Sequence, residues 1–418
     1  MSIEDTLRRT YDDHLGRLDV PGGDQAAARR TGARMRTRRR LTVAGAVVGV
    51  VAVALAGVVD ARRGTSVQPS APLGQWHRIP APPLSPRGEA QGVWTGREVV
   101  VLGGGTQLCP PSADCASAVG RGLRDGAAYD PASNTWRAIP PAPVPVVPGD
   151  RLVVADGVVV LRSWRTHGSR WFTYEPDHNR WTRIAHVPAG VGDDVSAIGS
   201  RVYASLGHRV AVYDVTRFRW SVLPPDPNRP RLGDRVVTAT SSGPVVTGVD
   251  ATAPNDGRTP SLLLADRWDG HRWLRLPPSG QLAGNDWTWT GTRMVDPEPF
   301  TLDGGEVDGW GRSYPMGGTL DPATGRWGPL PDALVDPPQG DARGWGVSAS
   351  GGSWFAVLGQ VYDDDTGRVG RLLRPDGAPD YAVTAVWAGD RLLAFGGTDS
   401  ARGYSGDALS NNAWLWSP

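Results

Sequence analysis

Six tryptophans each open the same short phrase. Trp76, Trp136, Trp181, Trp220, Trp273 and Trp327 are followed three positions on by Ile79, Ile139, Ile184, Leu223, Leu276 and Leu330, and five of the six phrases close on proline. Successive intervals of 60, 45, 39, 53 and 54 residues match repeats that each contribute one four-stranded unit, and such units bury their apolar faces only by stacking on one another. The body of this chain must therefore be an array of one supersecondary unit. Its composition agrees. With 55 Gly, 37 Pro and 18 Trp but only five Phe in 418 residues, turns and a few large anchoring rings are plentiful, which favours short strands over helices.

Each unit supplies the strands. Ahead of the tryptophans lie pairs of apolar or alternating runs joined by short Gly-containing turns: "GVWTGREVVVLGGG" from 92, "RLVVADGVVVLRSW" from 151, "VSAIGSRVYASLG" from 195 and "DRVVTATSSGPVVTG" from 234. Further pairs begin at 287, 345 and 382. These are hairpin signatures. A third strand then ends at a Tyr-Asp step, and a fourth opens with the tryptophan: "YDPASNTW" at 129, "YEPDHNRW" at 174, "YDVTRFRW" at 213 and, with leucine leading, "LDPATGRW" at 320. Asp bonding its own backbone and Pro pre-setting φ explain the turn between them. Tyr and Trp both bury a broad ring while keeping one polar atom wet or paired.

The Tyr-x6-Trp pairs Tyr129/Trp136, Tyr174/Trp181 and Tyr213/Trp220, with Gly103-Gly104 after "VVVL" and Gly396-Gly397 after "LLAF", resemble the kelch repeat of β-propellers, including the galactose-oxidase-like group. The resemblance covers residues 72–418 and implies an all-β propeller. Leu320 departs from the tyrosine, Trp268 stands too close to Trp273, most units lack the diglycine, and the unit around Val369 has no tryptophan. The chain ends complete the blade count. "NNAWLWSP" at 411 stops after a third strand, and "GQWHRIP" at 74 is a fourth strand with no hairpin before it. Joined, they form one blade and remove an open sheet edge. Seven blades result, or six if the unit at 344–380 is an insertion.

The amino-terminal segment has a different chemistry. Arg29, Arg30, Arg34, Arg36, Arg38, Arg39 and Arg40 precede an uncharged run at 41–59, "LTVAGAVVGVVAVALAGVV". At about 1.5 Å per residue such a run covers roughly 28 Å, close to a hydrocarbon core. It reads as a single transmembrane helix, and the arginines orient residues 1–40 to the cytoplasm and the propeller outside the cell membrane. Secretion is the alternative, because Ala54-Leu55-Ala56 fits a signal-peptidase site. Within 1–40, Ile3, Leu7, Tyr11, Leu15 and Leu18 lie on one face of a short amphipathic helix, which could dock on a cytoplasmic protein or lie on the membrane. Residues 60–71 are linker-like.

Cys109 and Cys115, the only cysteines, share one loop of the first blade, and an oxidising location favours a disulfide between them. Lysine is absent from the sequence, so a Schiff-base mechanism is excluded. The seven histidines lack metal-ligand spacing, no nucleophile elbow or P-loop occurs, and "DDDTG" at 363 reads as a turn, not a calcium loop. No catalytic residue, metal, cofactor or nucleic-acid partner is expected. Long insertions at 105–126, 250–261 and 303–318 would shape one or other face of the ring. The last holds Asp303, Glu306, Asp308, Trp310, Arg312 and Tyr314, a channel-mouth set suited to a glycan or peptide. The expected function is a membrane-anchored extracytoplasmic binding or sensing module. The alternatives are a carbohydrate-active propeller enzyme and a structural envelope protein.

Overall fold

The computed structural model describes residues 71–110, 122–165, 168–228, 231–252, 262–279, 286–298, 300–302, 313–315, 317–335 and 344–418. The expected amphipathic helix, arginine cluster and apolar run at 41–59 lie outside these residues, as does all of the linker up to 70. Among the described residues no helix is long and apolar enough to cross a membrane.

Seven four-stranded antiparallel sheets make up the body. They occupy residues 91–139, 151–183, 195–222, 232–275, 288–328 and 349–371, and the seventh combines 384–417 with 75–79. We number these blades one to seven. In blades one to four and six the strands pair in chain order, so each sheet is a meander. Blade five inserts a small hairpin, Phe300–Leu302 with Ser313–Pro315, between its second and third strands. The unit at 344–380 is thus a full blade, and the fallback of six does not apply.

Ring closure follows the expected exchange of termini. Gln75–Ile79 pairs antiparallel with Ala413–Ser417, placing Trp76 opposite Trp416 and Ile79 opposite Ala413. A strand that would otherwise be a bare edge is covered by the first strand of the repeat array.

The apolar core is divided into seven clusters, each lying between two neighbouring blades. Val99 and Val101 pack with Leu393 and Phe395 of blade seven, while Val100 and Leu102 pack with Val159 and Leu161 of blade two. The series continues blade by blade around to Trp345, Trp387, Trp414 and Trp416 between six and seven. Both faces of a second strand are therefore buried, which is why "VVVL" is apolar throughout instead of alternating.

The recurrent turn phrase has a two-part explanation. Within a blade, register sets Tyr129 directly opposite Trp136, Tyr174 opposite Trp181 and Tyr213 opposite Trp220, with ring centroids 5.0, 5.1 and 5.0 Å apart. Between blades, the indole N–H of every repeat tryptophan except Trp220 reaches back. Trp136 Nε1 donates to the Pro80 carbonyl at 2.8 Å, Trp181 to Pro140 at 2.9 Å, Trp273 to Pro224 at 2.7 Å and Trp327 to Pro277 at 2.9 Å. Trp76 finds the Leu373 carbonyl at 2.7 Å. Tryptophan and the residue four places after it are thus two halves of a staple from one blade to the next. The tryptophans are half-buried, not fully enclosed, because that staple sits at the outer edge of the ring.

Blade four resolves one departure. Trp268 and Trp273 are still register partners, but the turn between their flanking Asp269 and Arg272 is only Gly270-His271, so the interval shortens while the pairing survives. The turn aspartates act as expected: Asp130 Oδ1 accepts Ala132 N–H at 2.8 Å, and Asp363, in "DDDTG", accepts Asp365 N–H at 3.2 Å and the Thr366 hydroxyl at 2.6 Å. The diglycines serve the connections between blades. Gly103 (φ 71°) could not hold a Cβ, which would lie 2.5 Å from Val146 Cβ, and at Gly397 (φ 98°) it would lie 2.7 Å from the Tyr381 carbonyl.

Candidate functional site

Topology assigns every loop of such a blade to one of two ends. Links from second to third strand leave the same end as links from blade to blade, and the two tight hairpins leave the other. The insertions at 105–126, 250–261 and 303–318 all join a second strand to a third. The described strands that flank them therefore open onto one face, while 111–121, 253–261 and 303–312 themselves lie outside the described residues.

The chemistry of that face is acidic, and most of it is structural. Arg87 is fully buried and grips Asp125 through two bonds of 2.8 and 2.7 Å, with further bonds to the Ser85 and Gly103 carbonyls. The pairing holds the Asp125 carboxyl below its usual range, first through the Arg87 hydrogen bond. Asp150, also fully buried, accepts Val147 N–H at 3.1 Å and Trp164 N–H at 2.8 Å. Asp194 accepts Val237 N–H from the next blade, yet burial pushes its pKa up to about 6. Asp266 accepts the backbone and side-chain N–H groups of Asn228 at 3.0 and 2.9 Å, and burial, followed by neighbouring Asp226, raises its pKa. Asp226 is paired with Arg235. Asp296 accepts Glu298 N–H at 3.1 Å and is pushed up to about 7, again chiefly by burial. In each case the carboxylate caps a loop end or pairs with a cation, so these acids fix the connections in place.

A second group on the same face is arranged differently. Where blade seven meets blade one, Tyr381 and Tyr404 stand edge to face, 5.8 Å between centroids at 85°. Both rings are half-buried. The Tyr381 hydroxyl donates to the Cys109 carbonyl at 3.2 Å, and Leu108 N–H donates to the Tyr404 carbonyl at 2.8 Å. Glu89 lies beside them, its N–H bonded to the Ala382 carbonyl at 2.9 Å. Burial raises the Glu89 pKa; burial, then the Glu89 charge, then Tyr404 raise that of Tyr381. Among the described residues the Glu89 carboxylate has no hydrogen-bond or ion-pair partner. Its backbone is left-handed at φ 57°, a conformation uncommon for a side chain of this size. Ring closure brings Glu89 to Tyr381 across 292 positions of sequence, and no local pattern announces it.

The sequence-derived site fares differently. Asp303, Glu306, Asp308, Trp310 and Arg312 lie outside the described residues, and Tyr314 is placed only by its backbone pairing with Thr301. Cys109 is described at the base of the first insertion, whereas Cys115 lies outside. His178 is exposed in its turn and beside Glu175 at 2.9 Å. No group of His, Cys, Asp and Glu among the described residues could hold a metal ion.

No family model and no curated protein matches the chain. Among solved structures it is similar to one titled "Structure of YjhT", at 13% identity, covering 59% of this chain and 84% of that one, with a TM-score of 0.38. The fold assignment rests on the seven sheets themselves.

Proposed function

We propose that this chain is a binding module, a kelch-like propeller held outside the cell by the apolar segment at 41–59, which takes its ligand at the face carrying the long insertions. The observation that supports this reading is that the strands flanking all three insertions open onto the end where Glu89, Tyr381 and Tyr404 meet. Loops carried on a rigid frame are where propellers place recognition. Most buried acids of that face are already engaged by backbone N–H groups or arginines, which favours binding over acid–base catalysis. Any signal would pass through the segment at 41–59 to residues 1–40.

The test is to present the full-length chain in lipid nanodiscs to glycan and peptide arrays, with product analysis on every hit. Specific retention without conversion is the expected result. Conversion of a bound sugar would replace this reading with the carbohydrate-active enzyme, and no retention at all would leave the structural envelope protein. The topology has its own check: a cysteine engineered at Thr65 should react with an impermeant reagent on intact cells, and protection there overturns the orientation. Non-reducing peptide mapping should recover Cys109 and Cys115 in one linked peptide.

A further inference from the structure

The Glu89, Tyr381 and Tyr404 group has the composition of a site for a positively charged organic group, and this inference rests on the mouth reading above. Glu89 is a half-buried carboxylate to which the described residues offer no counter-charge. Tyr381 lies close enough to feel the Glu89 charge, and Tyr404 stands perpendicular to Tyr381, edge to face. A ring face attracts cations through its quadrupole, and the attraction grows when the site is partly desolvated. The floor is apolar: Leu108 is nearly fully buried, and Gly88 beneath it leaves no room for a Cβ, which would meet Leu108 Cδ1 at 2.7 Å.

The blade connection sets the backbone here. Glu89 stands two residues before the first strand of blade one. The corresponding place in blade two is Gly149, at φ 92°, where an added Cβ would meet nothing within 4 Å. At Gly149, therefore, the place is open and suits glycine, whereas the Glu89 side chain is half-buried. The left-handed backbone recurs at this place in blade seven, two residues before Thr384, so the connection sets the conformation and blade one differs in carrying an acid there. Ala382, which accepts the Glu89 N–H, is likewise left-handed at φ 58°.

We propose that Glu89, Tyr381 and Tyr404 form a recognition site for an organic ammonium group, the carboxylate supplying charge and the rings supplying faces. Choline and its neutral isostere 3,3-dimethylbutan-1-ol are the probes, titrated onto the full-length chain by calorimetry. Choline should bind about tenfold or more tightly than the isostere, the step a desolvated carboxylate and ring face together provide. Glu89→Gln should remove that preference, and Tyr404→Ala should weaken choline. Glu89→Gly, which suits the left-handed backbone, keeps the test open if the glutamine variant folds poorly. Equal binding of both probes, or choline binding indifferent to Glu89→Gln and Glu89→Gly, overturns the proposal. Retention of a neutral glycan on the arrays without choline binding would overturn it while leaving the mouth as a binding face. Silence on both would overturn the two readings together.

Discussion

The junction of blades one and two and the junction of blades five and six are built from the same plan with opposite chemistry. At the first, Trp181 staples to the Pro140 carbonyl, Tyr174 bonds Asn179 at 2.8 Å, and Arg137 bridges Glu98 at 2.9 and 2.6 Å while also reaching the Tyr174 hydroxyl at 3.2 Å. At the second, Val369 stands where the tryptophan would be, opposite Tyr362. No indole is there to reach Pro331. Instead Arg293 of blade five makes two bonds to Asp364 of blade six, 2.9 and 2.7 Å, and Asp364 also accepts the Tyr362 hydroxyl at 2.5 Å. The repeat phrase, then, encodes a junction between blades more than a blade. The junction that lacks the tryptophan is held instead by an ion pair whose carboxylate is buried.

Breaking that ion pair should have the largest effect. The Asp364 side chain is 1% exposed and Arg293 41%, so Asp364→Ala strands a tyrosine hydroxyl and a half-buried guanidinium. Removing one partner of a buried pair commonly costs 3–5 kcal/mol; the exposure of Arg293 brings the expected loss to about 2–3 kcal/mol. Glu98→Ala at the other junction should cost about 1 kcal/mol, since Arg137 keeps Tyr174 and Asn179 and the staple persists. Denaturant unfolding of the two variants compares them. Equal losses would mean that the ion pair does not substitute for the staple.

Changing pH next separates the neutral staple from the buried loop-end carboxylates. An indole-to-carbonyl bond does not titrate, whereas Asp194 and Asp296, with folded pKa values of about 6 and about 7, do. Their values are raised above the unfolded one, so the folded state holds its protons more tightly. The stability they contribute is full below about pH 4 and is lost as pH rises through 6 to 7. Melting should therefore decline between pH 5.5 and 8, by about 2–4 kcal/mol in total. Asp296→Asn should flatten that alkaline limb. A melting temperature level across this interval would mean that these acids are ionised in the folded ring.

What the sequence disclosed follows the same division. The stapled junctions were legible because Trp, the aliphatic residue and Pro recur at fixed offsets, and closure was legible because each terminus lacked what the other held. The missing tryptophan at Val369 was also legible, but the Arg293–Asp364 pair that replaces it was not, because 71 residues separate the partners and no spacing rule links a turn in one repeat to a turn in the next. The Glu89 group was hidden for the same reason: its members come from loops at opposite ends of the repeat array. Local periodicity reports elements, while contacts made by ring closure appear only once the elements are placed.

A finer cut compares two junctions that both carry the tryptophan. Trp181 donates to Pro140, but Trp220 follows the one phrase that ends in Ala185 instead of proline, and its buried Nε1 has no acceptor. Substituting phenylalanine removes the donor and some ring area at both places. The lost area is common to both, so the difference reports the hydrogen bond. Trp181→Phe should cost about 1 kcal/mol more than Trp220→Phe, because the former loses a made bond and the latter removes an unsatisfied donor. If the two cost the same, the staple contributes packing alone.

The smallest expected effect concerns the turn beside Trp220. At the left-handed position of this turn the other tyrosine-bearing blades use Asn134 (φ 54°), Asn179 (φ 49°) and Gly367 (φ 71°), and the two asparagines also accept the facing tyrosine hydroxyl at 2.8 Å. Blade three places Phe218 there, at φ 52° and 69% exposed. A bulky ring in that conformation is strained, gains little from burial, and leaves Tyr213 without the asparagine that Tyr129 and Tyr174 have. Phe218→Asn should accordingly stabilise the ring by about 0.5–1 kcal/mol, through relief of the left-handed strain and restoration of the tyrosine bond. The same change in a Tyr213→Phe background should recover only the strain portion, so the difference between the two backgrounds measures the hydrogen bond by itself. Destabilisation by Phe218→Asn would show that the exposed ring is held by contacts that the turn geometry does not reveal, and would remove strain from the explanation of why asparagine and glycine occupy this place in the other blades.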